Sequence, residues 1–187
     1  MTRITIRNER STDIAARERL LNAALGSARF AKPSERVREG RLAADGLSFV
    51  AVENGRVVGS VRLWNVNAGL GRPALLLGPL AVAADARNRG IGTMLMLRAL
   101  REARSRKHAA VLLVGDAAYY GRFGFSAQKT SALRLPGGYE QDRLLGLKVR
   151  PGTLDGARGL IRASGDRIAK GLPDFLTGAQ APFALVA

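Results

Sequence analysis

Apolar and polar positions recur along this chain with two periods, and the alternation between them predicts a succession of strands and helices. Thr2 to Arg7, TRITIR, alternates polar and β-branched residues and predicts a first strand. Ser11, Thr12 and Asp13 supply N-cap chemistry for a helix running to about Leu25, with Ile14, Leu20, Leu21 and Leu25 on its apolar side and Gly26 at its end. Pro33 and Ser34 start a second, charged helix expected to reach about Leu42. Phe49 to Val52 and Val57 to Trp64 are β-prone runs separated by Glu53-Asn54-Gly55-Arg56, and Asn-Gly between two such runs is a strong hairpin signal.

The second half opens with Pro73 to Val82, PALLLGPLAV, a nearly continuous apolar run of the kind that forms a strand buried on both faces. Gly78-Pro79 interrupts it. Proline cannot donate a ladder hydrogen bond and glycine tolerates a bulge, so this strand should bend or part from a neighbour there. From about Gly90 to Arg106, Ile91, Met94, Leu95, Leu97, Leu100 and Ala103 recur at helical spacing between arginines. Ala109 to Val114 reads as another buried strand, and Asp116 caps a short helix through about Arg122. Phe125 to Thr130 and Leu144 to Val149 are expected as the last strands, and weak helix signals follow from Leu154 to Ala169.

Composition narrows what such a chain does. With 187 residues, 47% hydrophobic and 24% charged, it is expected to fold as one domain over 1–150 with an extension, 151–187, packed on or covering it. No cysteine is present, which excludes disulfides, thiolate zinc sites and a cysteine-linked acyl-enzyme, and the single histidine, His108, excludes multi-histidine metal sites. No metal is expected. The polar start MTRITIRNERSTD lacks the apolar core of a signal peptide and no apolar run approaches the ~20 residues that span a bilayer, so a cytoplasmic location without membrane contact is expected.

The net charge of +15 points to anionic ligands. Its 25 arginines and 5 lysines are scattered from Arg3 onward and aromatics are only 5%, so the stripe, tail or stacking platform of a nucleic-acid binder is missing and no nucleic-acid partner is expected.

Between the strand ending at Val82 and the clearest helix lies AADARNRGIGT, Ala83 to Thr93. Its glycines let backbone approach a ligand, and the free N–H groups of a loop and helix start converge on an anion, to which Arg87 and Arg89 add charge. A Rossmann fingerprint is excluded because Met94, Leu95 and Met96 stand where its third glycine would fall, and a Walker A loop because no Gly-Lys-Ser/Thr closes it.

Leu80-Ala81-Val82 followed by Arg87-x-x-Gly90-x-Gly92 resembles the acyl-CoA signature of the GNAT superfamily of N-acetyltransferases, and VLLVGDAAYYGRFGF resembles that family's following strand, short helix and terminal Tyr-x-x-x-Gly-Phe, here Tyr120 to Phe125. The resemblance implies a single α/β domain with a mixed twisted sheet whose central parallel strands, Pro73–Val82 and Ala109–Val114, splay around acetyl-CoA. It further implies that the Leu80 amide faces the thioester, that Val82 pairs with pantetheine, and that the amides from Asn88 through Arg89, Gly90, Ile91 and Gly92 to Thr93 hold the pyrophosphate.

Tyr120 matches the family's tyrosine beside the leaving sulfur, where a phenol can protonate the thiolate. Asp116 is placed to touch pantetheine, although its N-cap role also explains it. The family's carboxylate position falls near Leu75 to Leu77, where no acid stands, so a water chain or delivery of an already neutral amine takes the place of a carboxylate base; direct attack by a primary amine in a ternary complex is expected, since no cysteine is present to form an acyl-enzyme. Phe30, Lys32, Glu35, Arg36, Trp64 and Tyr139 are the expected neighbours of the acceptor. Two rival readings remain at this stage, a catalytically inactive acyl-CoA-binding sensor and a basic nucleic-acid-associated protein; homodimerisation is left open.

Overall fold

A computed structural model describes residues 3–169. Its strands and helices are β1 (Ile4–Asn8), α1 (Ile14–Leu25), α2 (Pro33–Arg38), β2 (Ser48–Glu53), β3 (Arg56–Ala68), β4 (Pro73–Val82), α3 (Ile91–Ser105), β5 (Ala110–Val114), α4 (Ala117–Gly121), β6 (Leu133–Arg134), β7 (Leu144–Lys148) and β8 (Gly159–Ala163). The strands join one mixed sheet in the order β1-β2-β3-β4-β5-β7. All neighbours along this path are antiparallel except β4 and β5, which run parallel.

The apolar periods account for the layering. Along β4, Leu75 and Leu77 face the cluster built on Ile91, Leu95, Met96, Ala99 and Leu100 of α3, while Ala74 and Leu76 face a second cluster with Trp64, Leu112 and Leu133. Both faces of this strand are therefore buried, as its unbroken apolar run requires. Helix α1 brings Leu20 and Leu21 onto Ala81. The β2–β3 hairpin turns at Asn54 (φ 49°) and Gly55 (φ 77°), two consecutive left-handed residues, which is the geometry that a two-residue hairpin with the sheet's twist demands.

Three segments depart from the sequence expectation. Helix α2 stops at Arg38 rather than Leu42: Gly40 adopts φ 65°, and Leu42 N–H is drawn instead to the Asp166 carbonyl (2.8 Å). Phe125 to Thr130 is not a strand. Ser126 makes one bridge to Gly146, and its hydroxyl then accepts from Gln128 N–H (3.2 Å) to start a 3-10 turn over Ala127–Thr130.

The helix signals from Leu154 to Ala169 give turns and strand β8, which pairs with β3 through Val66↔Ala163 and Ala68↔Ile161. β8 takes the edge of β3 beyond the point where β2 ends, so the residues to 163 contribute a strand to the sheet itself. The remainder of the expected covering extension, 170–187, lies outside the described residues. No helix among the described residues is long and apolar enough to cross a membrane.

Candidate active site

The sheet opens where its sequence contains Gly78-Pro79. β4 and β5 pair only at Leu75↔Val111 and Leu76↔Leu112, and beyond these rungs they part. On the other side β4 stays paired with β3, but the register passes from Leu63↔Leu77 to Val61↔Leu80, so Gly78 and Pro79 together oppose Arg62. This is a bulge, and it re-aims the strand away from β5. Trp64 braces it from β3: the buried indole donates from Nε1 to the Gly78 carbonyl at 2.7 Å.

The ladder also fixes which backbone groups face the gap. Ala83 N–H donates to the Val58 carbonyl at 2.9 Å, and backbone groups alternate sides along an antiparallel strand, so those of Ala81 face β3 and those of Leu80 and Val82 face away from it. With β5 splayed off, these groups have no strand to pair with. They line a cleft of about 490 Å³ whose opposite wall is Leu113, Val114 and Gly115 of β5 and its continuation.

One end of the cleft is the Ala83–Thr93 loop. Ala84–Ala86 makes a 3-10 turn, Asn88 takes φ 60° and Gly90 φ 76°, and α3 begins at Ile91. The first helical bond runs from Met94 N–H to the Gly90 carbonyl (3.0 Å), leaving the N–H groups of Ile91, Gly92 and Thr93 ahead of it, where a helix end collects positive potential. A Cβ on Gly92 would lie 2.9 Å from the Tyr119 hydroxyl, so a side chain here requires the tip of that tyrosine to shift.

The loop is held by ion pairs to the hairpin turn: Arg89 reaches both oxygens of Glu53 (2.6 and 3.0 Å), and Arg56 reaches Asp85 (2.7 Å). Arg89 therefore fixes the loop through Glu53, whereas Arg87 and Asn88 are exposed beside it.

Across the gap, α4 carries the tyrosines. Asp116 caps it, its Oδ1 accepting from Ala118 N–H at 2.9 Å, and stands exposed at the rim. Gly115 makes room for the next turn: a Cβ there would meet the Tyr120 ring at 2.2 Å. Tyr120 packs edge-on to Tyr119 (4.8 Å between centroids) and to Phe125 (6.2 Å), while its hydroxyl makes no hydrogen bond among the described residues and is not sealed off. Burial, then the neighbouring Tyr119 and Asp116, push its pKa up to about 12. The phenol thus keeps its proton at neutral pH and has it to give.

The residues singled out from sequence divide into two groups. Leu80, Val82, Gly92, Asp116 and Tyr120 meet around one cleft; Ala81 faces away, packed by α1. The expected acceptor neighbours fare differently, for Phe30, Glu35, Trp64 and Tyr139 are not in the cleft wall. Phe30 lies under the Arg29 guanidinium at 4.0 Å, and Tyr139 spends its hydroxyl on Gln141 (2.8 Å) and Leu135 N–H (3.1 Å). Glu35 accepts from Arg38, and Trp64 acts from beneath the bulge.

The wall at that end is instead Arg29, Lys32 and Arg38, of which only Lys32 is legible as a candidate from sequence. Arg29 and Arg38 were missed because neither occurs in a motif; pairing with Glu18 and Glu35 is what allows them to be buried. His108, lowered in pKa by burial and then by Arg106, lies outside the cleft wall. No cluster of three or more His, Cys, Asp or Glu among the described residues is arranged to hold a metal.

Comparison with known proteins places the fold in a family. A family model described as the acetyltransferase (GNAT) family matches residues 16–125. Among solved structures, a GNAT family N-acetyltransferase (YhbS) from Escherichia coli in complex with CoA is 28% identical, with a TM-score of 0.74 over 88% of this chain and 91% of that one. A GNAT family acetyltransferase from Brucella melitensis in complex with acetyl-CoA is 26% identical, with a TM-score of 0.64 over 87% and 96%. No curated protein matched the chain.

Proposed function

The chain belongs to the GNAT family of acetyltransferases, and from that premise we propose that it transfers the acetyl group of acetyl-CoA to a primary amine by direct attack in a ternary complex. The observation that carries the reading is the parting of β4 from β5, which leaves the Leu80 and Val82 backbone groups facing a cleft that ends on the free amides of α3. A pantetheine arm is an extended chain with amide groups and suits such an unpaired strand edge; a pyrophosphate suits the helix start.

The fit is supported at the atoms that would have to make room. Gly92 leaves the helix start bare, and Leu80 and Val82, on the same side of β4, offer their backbone groups in turn on the way from the bulge to that helix start. Leu80 N–H is positioned to donate to the thioester carbonyl as its oxygen gains negative charge, which is where a fixed dipole lowers a barrier most.

In the chemical step the neutral amine attacks the carbonyl carbon, the C–N bond forms and the C–S bond breaks. Sulfur leaves with the electron pair and takes the Tyr120 hydroxyl proton. The nitrogen sheds its extra proton to solvent, and Tyr120 is reprotonated from the same pool. Of the cleft-lining side chains only Asp116 is a carboxylate, and it caps α4, so the amine either arrives uncharged or loses its proton through water. The cationic wall favours this, since a positive neighbour disfavours an ammonium.

Calorimetry with acetyl-CoA, followed by detection of free CoA over a panel of primary amines, tests the reading. Saturable binding and amine-dependent CoA release are expected, with a rate that rises with pH until the acceptor's own ammonium has titrated. Binding without release from any amine would leave a sensor rather than an enzyme, and absence of binding at millimolar acetyl-CoA would overturn the reading outright.

A further inference from the structure

The cleft is chemically asymmetric. Four cationic side chains, Arg29, Lys32, Arg38 and Arg143, line it against the single carboxylate Asp116. Arg29 and Arg38 are only 4% and 6% exposed, an expensive place for a guanidinium. Each is held from behind. Arg38 gives Nε (3.0 Å) and Nη2 (2.5 Å) to the same oxygen of Glu35, and Arg29 gives Nε (3.2 Å) to Asn22 and Nη2 to Glu18 (2.6 Å) and Asn22 (3.0 Å).

What remains is Nη1 on each. Neither has a hydrogen-bond partner among the described residues, and neither is sealed from solvent. The Arg38 Nη1 lies 3.7 Å from the position a Cβ would take on Gly78, directly over the bulge where the strands part. That is the opposite end of the β4 segment from Gly92, which sits by Val82 at the start of α3. The arginines thus stand apart from the amides offered to phosphates.

Behind the wall, Arg17, Arg29 and Arg62 share the carboxylates of Glu9 and Glu18, while Arg38 and Glu35 form a pair of their own. At Arg62, burial, and after it the nearby Arg17, lower the pKa to about 10, and its Nε makes no hydrogen bond, the nearest carboxylate oxygen, of Glu9, standing at 3.6 Å. Arg17 and Arg62 line a separate pocket with Glu9 and Asp45, so what this cluster gives the cleft is the burial of Arg29 in its wall, beside the Arg38 Nη1 that stands over the bulge.

Resting on the acetyltransferase reading above, we propose that the acceptor is a small primary amine that also carries an anionic group, a carboxylate or a phosphate, bound by Arg38 and Arg29 with Lys32 at the rim while its amine points to the thioester beside Leu80. The shared chemistry is an oxyanion within a few bonds of an amine. Buried guanidiniums pre-oriented by carboxylates suit it, because the side-chain entropy of the clamp is already spent in the free enzyme. A polyamine, with cations along its length, meets the wrong sign of charge here.

The experiment compares matched pairs of amines, glycine with glycinamide, β-alanine with β-alaninamide and phosphoethanolamine with ethanolamine, with spermidine as a cationic arm, in CoA-release rates corrected for the fraction of neutral amine. The anionic member of at least one pair is expected to exceed its partner about tenfold in kcat/KM, chiefly through KM, and the pair that responds tells carboxylate from phosphate. Lys32→Gln, a surface change, should raise KM for that anionic amine severalfold while the KM for acetyl-CoA stays put. Arg38→Lys should raise it further, with thermal unfolding used to confirm the fold.

The same anionic compounds are titrated against the protein without acetyl-CoA. Their binding therefore reports on the arginine wall even if acetyl-CoA fails to bind, which would sink the acetyltransferase reading separately. Equal or better use of the uncharged or cationic amines, or no use and no binding of any anionic member, overturns the proposal.

Discussion

At the Gly92 end of the cleft the groups offered to a ligand are backbone amides from one contiguous stretch, Asn88 to Thr93, whereas at the Gly78 end they are guanidiniums carried there by α2 and by the segment that joins it to α1. The first end takes its shape from dihedral angles at Asn88 and Gly90 and from the absence of a side chain at Gly92, with ion pairs to the β2–β3 turn holding the loop in place. The second depends on carboxylates elsewhere, Glu18 and Glu35, that make burial of Arg29 and Arg38 tolerable. A site made of backbone can serve one constant ligand part in many contexts; a site made of paired side chains can be re-charged by a few substitutions.

The comparison breaks most visibly at Gly92. Gly92→Val places a branched side chain against the Tyr119 hydroxyl and over the helix-start amides, and acetyl-CoA affinity should fall about a hundredfold or more while anionic amines still bind. Calorimetry with each ligand separates the two ends; unchanged acetyl-CoA affinity in the folded variant would refute the cradle.

Tyr120→Phe acts between the ends. It removes only a hydroxyl, so kcat should drop roughly 10- to 100-fold with little change in acetyl-CoA binding. A normal kcat in single-turnover measurements would reduce Tyr120 to packing against Phe125.

The smallest effect concerns the anchor of α1. Asp13 accepts from Arg7 at 2.6 and 2.9 Å and from Arg10 N–H at 2.8 Å, and the Arg7 hydrogen bonds hold its carboxyl below the usual 3.8. A depressed carboxyl pKa stabilises the fold above about 3.8, and the benefit is lost as pH falls through the lower folded value. Asp13→Asn should cost roughly 1–2 kcal/mol at neutral pH and flatten the acid limb of the stability curve in urea titrations. Kinetically it should disturb amine KM more than acetyl-CoA KM.

How much of this was legible in the sequence follows the same division. The Asn54-Gly55 turn, the two-faced apolar run of β4, its interruption at Gly78-Pro79 and the glycines before α3 are local patterns, and each has its counterpart in the fold. What escaped was long-range. β8 is a strand only because β3 extends past the end of β2, and nothing within GLIRA states that. Trp64, expected beside the acceptor, is turned under the bulge by its bond to the Gly78 carbonyl, a contact between strands. The Glu35–Arg38 pair is local, three residues apart on α2, yet PSERVR alone does not say which of the two faces inward: the carboxylate expected near the acceptor stands behind, and the guanidinium lines the cleft.

A crystal structure of the acetyl-CoA complex tests the central claim most directly. The parted strands predict pantetheine running along β4 between Gly78 and Val82, the thioester oxygen within hydrogen-bond distance of Leu80 N–H, the pyrophosphate on the amides from Asn88 to Thr93, and the sulfur beside the Tyr120 hydroxyl. Acetyl-CoA bound anywhere else, or β4 and β5 closed into a continuous ladder with the cofactor outside it, would contradict the account.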